Sequence, residues 1–278
     1  MKEYKNGLFV GERALYNISD ARICFSTFAD GESPLKECRN ISVVGSIFKW
    51  KYPIWYSEGV RVKDSTLLIT ARSGIWYTSG IEMENCFIEA PKTFRRSSNI
   101  KLSGCAMPHA EESLWNCTDV TIDKLSAVGD YFGMNSKNLK ISGLDLDGNY
   151  AFDGAENVEI RNSRLISKDA LWNSKNVTVY DSLIIGEYLG WNSENVTFIN
   201  CTLESNQGLC YMENVRLVNC RLMNTDLAFE LSSVDAEIVS HVDSIKNPIS
   251  GKIRAHSVGE IIMDTEMIDP EKTEITVG

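Results

Sequence analysis

No stretch of this chain is apolar for long enough to cross a membrane as a helix, which needs roughly 18 or more such residues in a row. Basic residues are in the minority: 28 Lys and Arg stand against 38 Asp and Glu, a formal net charge of -10. That balance argues against a nucleic-acid-binding face and against an anionic membrane surface as partners. The start, Met1–Gly7, lacks the apolar core of a secretory leader, so the expected location is the cytoplasm. None of the eight cysteines forms a CxxC pair, and their density is too low for a disulfide scaffold. Several Asn-x-Ser/Thr triplets occur, at Asn116, Asn176, Asn195 and Asn200, but without secretion they need no glycan. No phosphate loop, nucleotide fingerprint, HExxH or Ser/His/Asp order is present.

What the chain does have is a repeat. Trp172-Asn173-Ser174-Lys175-Asn176-Val177-Thr178 returns nineteen residues later as Trp191-Asn192-Ser193-Glu194-Asn195-Val196-Thr197. A fixed period of this size marks a solenoid. Stepping from Asn176 in both directions, the register falls on Asp20, Asn40, Gly59, Gly80, Asn99, Asp119, Asn138, Asn157, Asn195 and Asn214, and more weakly on Ser233. Steps of 19 to 21 residues give roughly twelve coils.

One and three residues after each reference stand apolar side chains (Val177 and Val179, Val196 and Phe198), with a polar or charged one between them in most coils. That is the period of a strand with one face inward. Five after the reference come Gly45, Asp64, Asn85, Asn162, Asp181 and Asn200, residues that tolerate left-handed backbone angles, so the chain turns there. Each coil reads as three short strands and three bends. The expected fold is an all-β, single-stranded parallel β-helix, right-handed because no six-residue sub-period is visible. It forms one domain over 1-278, with an N-terminal cap at 1-19, regular coils at 20-233, and degenerate coils with a C-terminal cap at 234-278. Cys86, Cys105, Cys201 and Cys220 share a column with Ser46, Ser65, Ser163 and Ser182, which makes them small corner-fillers rather than metal ligands. No metal and no cofactor is expected.

Five of the six tryptophans, Trp55, Trp76, Trp115, Trp172 and Trp191, lie in one column four residues before the reference, interrupted by Lys36, Arg95 and Asp153. The column one step earlier is aliphatic or aromatic (Leu35, Ile54, Ile75, Phe94, Leu114, Leu171). Adjacent strand residues face opposite ways, and charges cannot be stacked into a dry interior, so the indoles belong outside. An outward aromatic row suits a saccharide, with Lys92, Tyr131, Tyr150 and Tyr188 in nearby columns and Arg95 and Asp153 as polar clamps. The alternative is a structural or assembly protein whose aromatic stripe meets a partner chain. A homo-oligomer would then form through that face or through the capped ends. If the protein is an enzyme, a polysaccharide lyase or glycoside hydrolase is expected. Glu111 and Asp130 occupy like positions on neighbouring coils, as a carboxyl pair would. Lys92, Arg95 and Arg96 form a basic cluster, and His109 lies in a nearby loop. Each of these charges is better explained as a solvated loop residue.

The chain also resembles a bacterial family known as a domain of unknown function, of the pectin-lyase-like β-helix class. The stretches that carry the likeness are Gly11-Glu12-Arg13-Ala14-Leu15, Phe28-Ala29-Asp30-Gly31-Glu32-Ser33-Pro34-Leu35, Pro91-Lys92-Thr93-Phe94-Arg95, Glu187-Tyr188-Leu189-Gly190-Trp191-Asn192-Ser193, Gly208-Leu209-Cys210-Tyr211 and Thr225-Asp226-Leu227-Ala228-Phe229-Glu230. The resemblance implies a right-handed β-helix and supplies no reaction. The Asn-Thr-Asp, Asp-Asp and Gly-His-Gly signatures of polygalacturonases are absent.

Overall fold

The computed structural model describes residues 1–278. The chain has no α-helix, only strands and two short 3-10 turns at Ile69–Ala71 and Pro270–Lys272. No helix is long and apolar enough to cross a membrane. Two compact units are present, Met1–Asp145 and Leu146–Gly278. Each is a parallel β-solenoid.

In the N-terminal unit the six-residue strands Ser19–Cys24, Arg39–Val44, Glu58–Lys63 and Ser79–Glu84 pair in parallel, one coil to the next. Ile41, Val60 and Ile81 stack in register, as do Val43, Val62 and Met83, and all are buried. The reference positions Asp20, Asn40, Asn99 and Asp119 and the turn positions Asp64 and Asn85 all have positive φ between 49° and 56°. Such angles are disfavoured for most side chains but easy for Gly, Asn and Asp. Asn85 donates to Asp64 on the coil below and Asn138 to Asp119, so the turn columns are also amide ladders.

The first eighteen residues differ from the expected cap. Lys2–Lys5 pairs with Ala21–Cys24 and Leu8–Phe9 with Thr27–Phe28, and Leu15 bonds Pro34 through its amide. The period therefore runs one coil further back, with Met1 in the reference position opposite Asp20. In this coil Leu8 and Val10 face outward and are exposed, while the inward Phe9 stacks on Phe28 at 5.0 Å.

The C-terminal unit repeats the pattern through Glu156–Arg161, Lys175–Tyr180, Glu194–Ile199 and Glu213–Asp226. Asn176 donates to Asn157, Asn195 to Asn176 and Asn214 to Asn195, at 3.0 to 3.1 Å. Beyond Ser233 the coils persist as Ser233–Lys246, Ser250–Ile262 and Thr273–Val277, with bulges where coil length changes.

The strand that carries the tryptophans is weaker than expected. It is a two-residue pair at Ile54–Trp55 and Ile75–Trp76, single bridges at Arg95 and Trp115, and turns in the later coils. In those later coils the inward residue itself has positive φ (Phe94 60°, Leu114 54°, Phe152 60°, Leu171 60°), which ends an extended run. Inward and outward side chains still alternate: Ile54, Ile75, Phe94, Leu114, Phe152 and Leu171 are fully buried.

Candidate functional site

All five column tryptophans lie on the outer surface, half-buried. Their faces, however, are occupied. Trp55 and Trp76, in register on adjacent coils, stack at 5.1 Å and 7° between planes. That separation is close to the ~4.8 Å rung spacing, so the ring faces look along the direction in which coils stack. Tyr52 tilts onto Trp55 at 4.6 Å. The Arg95 guanidinium fills the next rung, 4.8 Å from the Trp76 centroid and 4.9 Å from that of Trp115. In the C-terminal unit Trp172 and Trp191 stack at 5.7 Å and 5°, with Tyr150 edge-on to Trp172 at 5.8 Å and Tyr188 against Trp191 at 4.9 Å.

The indole N–H groups are also committed. Trp55 donates to the Ser73 carbonyl (2.6 Å), Trp76 to Lys92 (2.8 Å), Trp172 to Tyr188 (2.6 Å) and Trp191 to Gln207 (2.6 Å). Each ring therefore lies against the wall and clasps a neighbouring coil. Outward placement agrees with the sequence; the expected platform of open faces for stacking a sugar does not form, and ring edges meet solvent instead.

Lys92 and Arg95 converge on Glu112, whose carboxylate accepts from Lys92 Nζ at 3.0 Å and Arg95 Nη2 at 2.6 Å. Burial alone would raise the Glu112 carboxyl, but the hydrogen bonds and charges of the two cations outweigh it and hold it below the usual range. Arg95 Nε is buried without a hydrogen-bond partner. Glu112, the centre of this cluster, is not among the residues the sequence singled out. Its neighbour Glu111 sits in register with Asp130, since the Glu112 amide bonds the Asp130 carbonyl at 2.9 Å, and both side chains are exposed. Tyr131 is near Trp115, with centroids 6.0 Å apart. His109 is an exposed turn residue. Asp153 belongs to the C-terminal unit, where it accepts from Asn173 at 2.8 Å. Arg95 and Asp153 thus lie in separate units.

One acid was not singled out by the sequence. Asp169 is buried beside the aromatic corner of the C-terminal unit, and that burial raises its pKa, with Glu187 and Asp153 adding to it and Lys168 opposing. The cysteines are buried and free, with their sulfurs directed at backbone carbonyls of the corner column. Burial pushes Cys38 and Cys201 up to about 11. No group of three or more His, Cys, Asp or Glu side chains is arranged to hold a metal ion.

A further signal lies one residue past the tryptophans, where every coil takes a left-handed turn. Asn17, Asn116, Asn135, Asn173, Asn192 and Gly154 hold this position, as the angle favours. Tyr56 (φ 54°), Tyr77 (55°) and Arg96 (48°) hold it in three successive coils, and Glu37, Tyr211 and Leu231 (52°) are the remaining departures. Tyr56 and Tyr77 stack at 4.8 Å and 6°, flanked by Lys36 (5.5 Å) and Arg96 (6.0 Å) over their outer faces. The result is a ridge of ring edges, tyrosyl hydroxyls and cationic heads.

Comparison with known structures finds distant likenesses. A surface adhesin of Streptococcus pneumoniae, PfbA, is 11% identical over 87% of this chain and 70% of its own, with a TM-score of 0.33. The A-module of the mannuronan C-5 epimerase AlgE4 from Azotobacter vinelandii is 8% identical over 99% of this chain and 87% of its own (TM-score 0.27). The fluoroquinolone resistance protein QnrB1 is 12% identical over 80% and 94% (TM-score 0.28). At such scores none of them carries an argument about function. No curated protein matches the chain. Its sequence matches the profile described as "Protein of unknown function (DUF3737)" over residues 2–276, and the chain belongs to that family.

Proposed function

We propose that this chain is a recognition protein rather than an enzyme, and that the aromatic corner of its N-terminal unit is a contact surface for another protein chain. One observation carries the reading: left-handed turns on three successive coils hold the stacked Tyr56 and Tyr77 and then Arg96, at a position where six other coils place Asn or Gly. Left-handed angles cost a bulky L-residue on the order of 1 kcal/mol each, and strain kept at adjacent positions is a mark of function. Tyr, Trp and Arg are the residues that dominate protein interfaces, and their ring edges suit a flat contact. The test is a triple variant, Tyr56→Asn, Tyr77→Asn and Arg96→Asn. It is expected to unfold at higher urea concentration than the parent and to lose association, measured by light scattering on the purified chain. A variant that associates like the parent would refute the reading.

The saccharide reading keeps one specific support, and it moves to the C-terminal unit. A groove of about 390 Å³ there has Ile166 and Ile185 in its lining, together with Asn149, Lys168, Glu187 and Asn206. An apolar surface edged by amides, carboxylates and an ammonium is the make-up of a sugar site. A glycan array probed with the parent and with Glu187→Gln tests it. Binding that the variant loses supports the groove, and a blank array removes it.

A further inference from the structure

Three adjacent coils in the aromatic corner of the N-terminal unit are basic, whereas the corner of the C-terminal unit is acidic; the flanking N-terminal coils hold Glu32, Glu37, Glu111, Glu112 and Asp130 in the same columns, beside Lys36. In the N-terminal unit the segments 51–56, 72–77 and 91–96 lie in register on successive coils. They hold Lys51, Arg72, Lys92, Arg95 and Arg96 and not one acid, in a chain whose net charge is -10. Three of these cations are paired with acids of flanking coils: Lys51 with Glu32 at 2.8 Å, and Lys92 and Arg95 with Glu112. Arg72 and Arg96 are exposed and have no carboxylate partner, and Arg96 rests on the Tyr77 ring. The edge of an aromatic ring is itself the positive end of its quadrupole, so the Trp and Tyr edges between these cations add to the same field.

In the C-terminal unit the matching columns hold Asp153, Asp169, Glu187, Asp226 and Glu230 against Lys168 alone. Lys168 pairs with Glu187 at 3.2 Å and Lys246 with Glu230 at 2.9 Å. The other three have no cationic partner within ion-pair distance. Asn173 donates to Asp153 and Ser244 to Asp226, both neutral donors. Tyr188, Trp191 and Tyr211 supply aromatic surface beside them.

We infer that the basic aromatic corner of the N-terminal unit docks on the acidic aromatic corner of the C-terminal unit of a second copy of this chain. The inference rests on the protein-contact reading above and names the partner. A contact between like corners would set Arg72 and Arg96 against themselves, or Asp153 and Asp226 against themselves, and like charges across an interface are strongly disfavoured. Opposite corners remove that conflict, so the contact is heterologous, two different patches meeting. Attraction between exposed charges is screened by salt, with a Debye length near 10 Å at 0.1 M and about 3 Å at 1 M. The association is therefore salt-sensitive.

The experiment is sedimentation velocity on the full chain in low and high sodium chloride, with two charge-reversed proteins, Arg72→Glu/Arg96→Glu and Asp153→Lys/Asp226→Lys. Circular dichroism confirms that each is folded. The parent is expected to associate in low salt and to weaken at least about tenfold in high salt. Each reversed protein alone is expected to sediment as a monomer. Mixed together, they are expected to associate again, because each then offers the corner the other lacks. A parent that is monomeric at every concentration overturns the inference. So does a parent-like association of either reversed protein; if the Asn triple variant still abolishes that association, the aromatic corner remains an interface and only the charge pairing is wrong.

Discussion

Arg95→Met removes the guanidinium between two indoles while keeping an aliphatic stem in the wall. Arg95 lies 4.8 and 4.9 Å from the Trp76 and Trp115 centroids, and its side chain is 22% exposed. Two such cation–π contacts are worth about 1–2 kcal/mol together. The ion pair with Glu112 adds about 1 kcal/mol at this exposure, after allowing for solvent screening. Against this, the substitution relieves the buried Nε that lacks a partner, a gain of about 1 kcal/mol. The net loss is about 1–2 kcal/mol, or roughly 3–6 °C in melting temperature for a domain of this size. The pH dependence is the sharper readout. Glu112 is held below its ordinary pKa in the folded state, so its contribution is full above the unfolded value, about 4.3, and fades as pH falls through the folded one. Urea denaturation followed by near-ultraviolet circular dichroism should show the parent–variant gap wide at pH 7 and narrower near pH 3. A gap independent of pH, or a variant more stable than the parent at pH 7, would refute the reasoning.

Two further outcomes follow from buried groups. All eight thiols are buried and free. Cys201 shares its column with Ser163 and Ser182, so Cys201→Ser should cost under about 1 kcal/mol. A thiol reagent at pH 7 should label none of the eight in the native protein and all of them in denaturant. Burial raises the Asp169 pKa, so its charged form destabilises the folded state at neutral pH. Asp169→Asn should raise the denaturation midpoint at pH 7, with the gain vanishing below the ordinary Asp value of about 3.9. A loss of stability at pH 7 would show that the carboxylate has a partner.

The repeat was readable because identical positions must solve identical problems. Asn and Gly at the reference turns, and aliphatic residues one and three later, define coils whatever else the sequence carries. The outward side of the indoles followed from Lys36, Arg95 and Asp153, since a dry column cannot hold them. What could not be read was the rotation of each ring about its side-chain bonds. Trp55 clasping the Ser73 carbonyl and stacking on Trp76 depends on rotamers that a column of letters does not encode. The first coil was missed because its reference position is Met1 and its partners Tyr4 and Phe9 follow no Asn. The strain at Tyr56, Tyr77 and Arg96 was visible as a break in an Asn column, but only the backbone angles show that the break carries a cost. Asp169 stood among tyrosines in its column; its burial is a tertiary fact.

Solvent exchange of the indole protons, followed by nuclear magnetic resonance on protein labelled with ¹⁵N-tryptophan, tests the placement of the ladder most directly. The N–H groups of Trp55, Trp76, Trp172 and Trp191 are bonded to backbone carbonyls of a neighbouring coil. Protection reports hydrogen bonds that open only with local unfolding, so these four signals should persist after transfer to deuterated solvent. Four indole signals that vanish at once would mean rings that swing free, with open faces, and the account of the corner as an edge-on protein contact would be wrong.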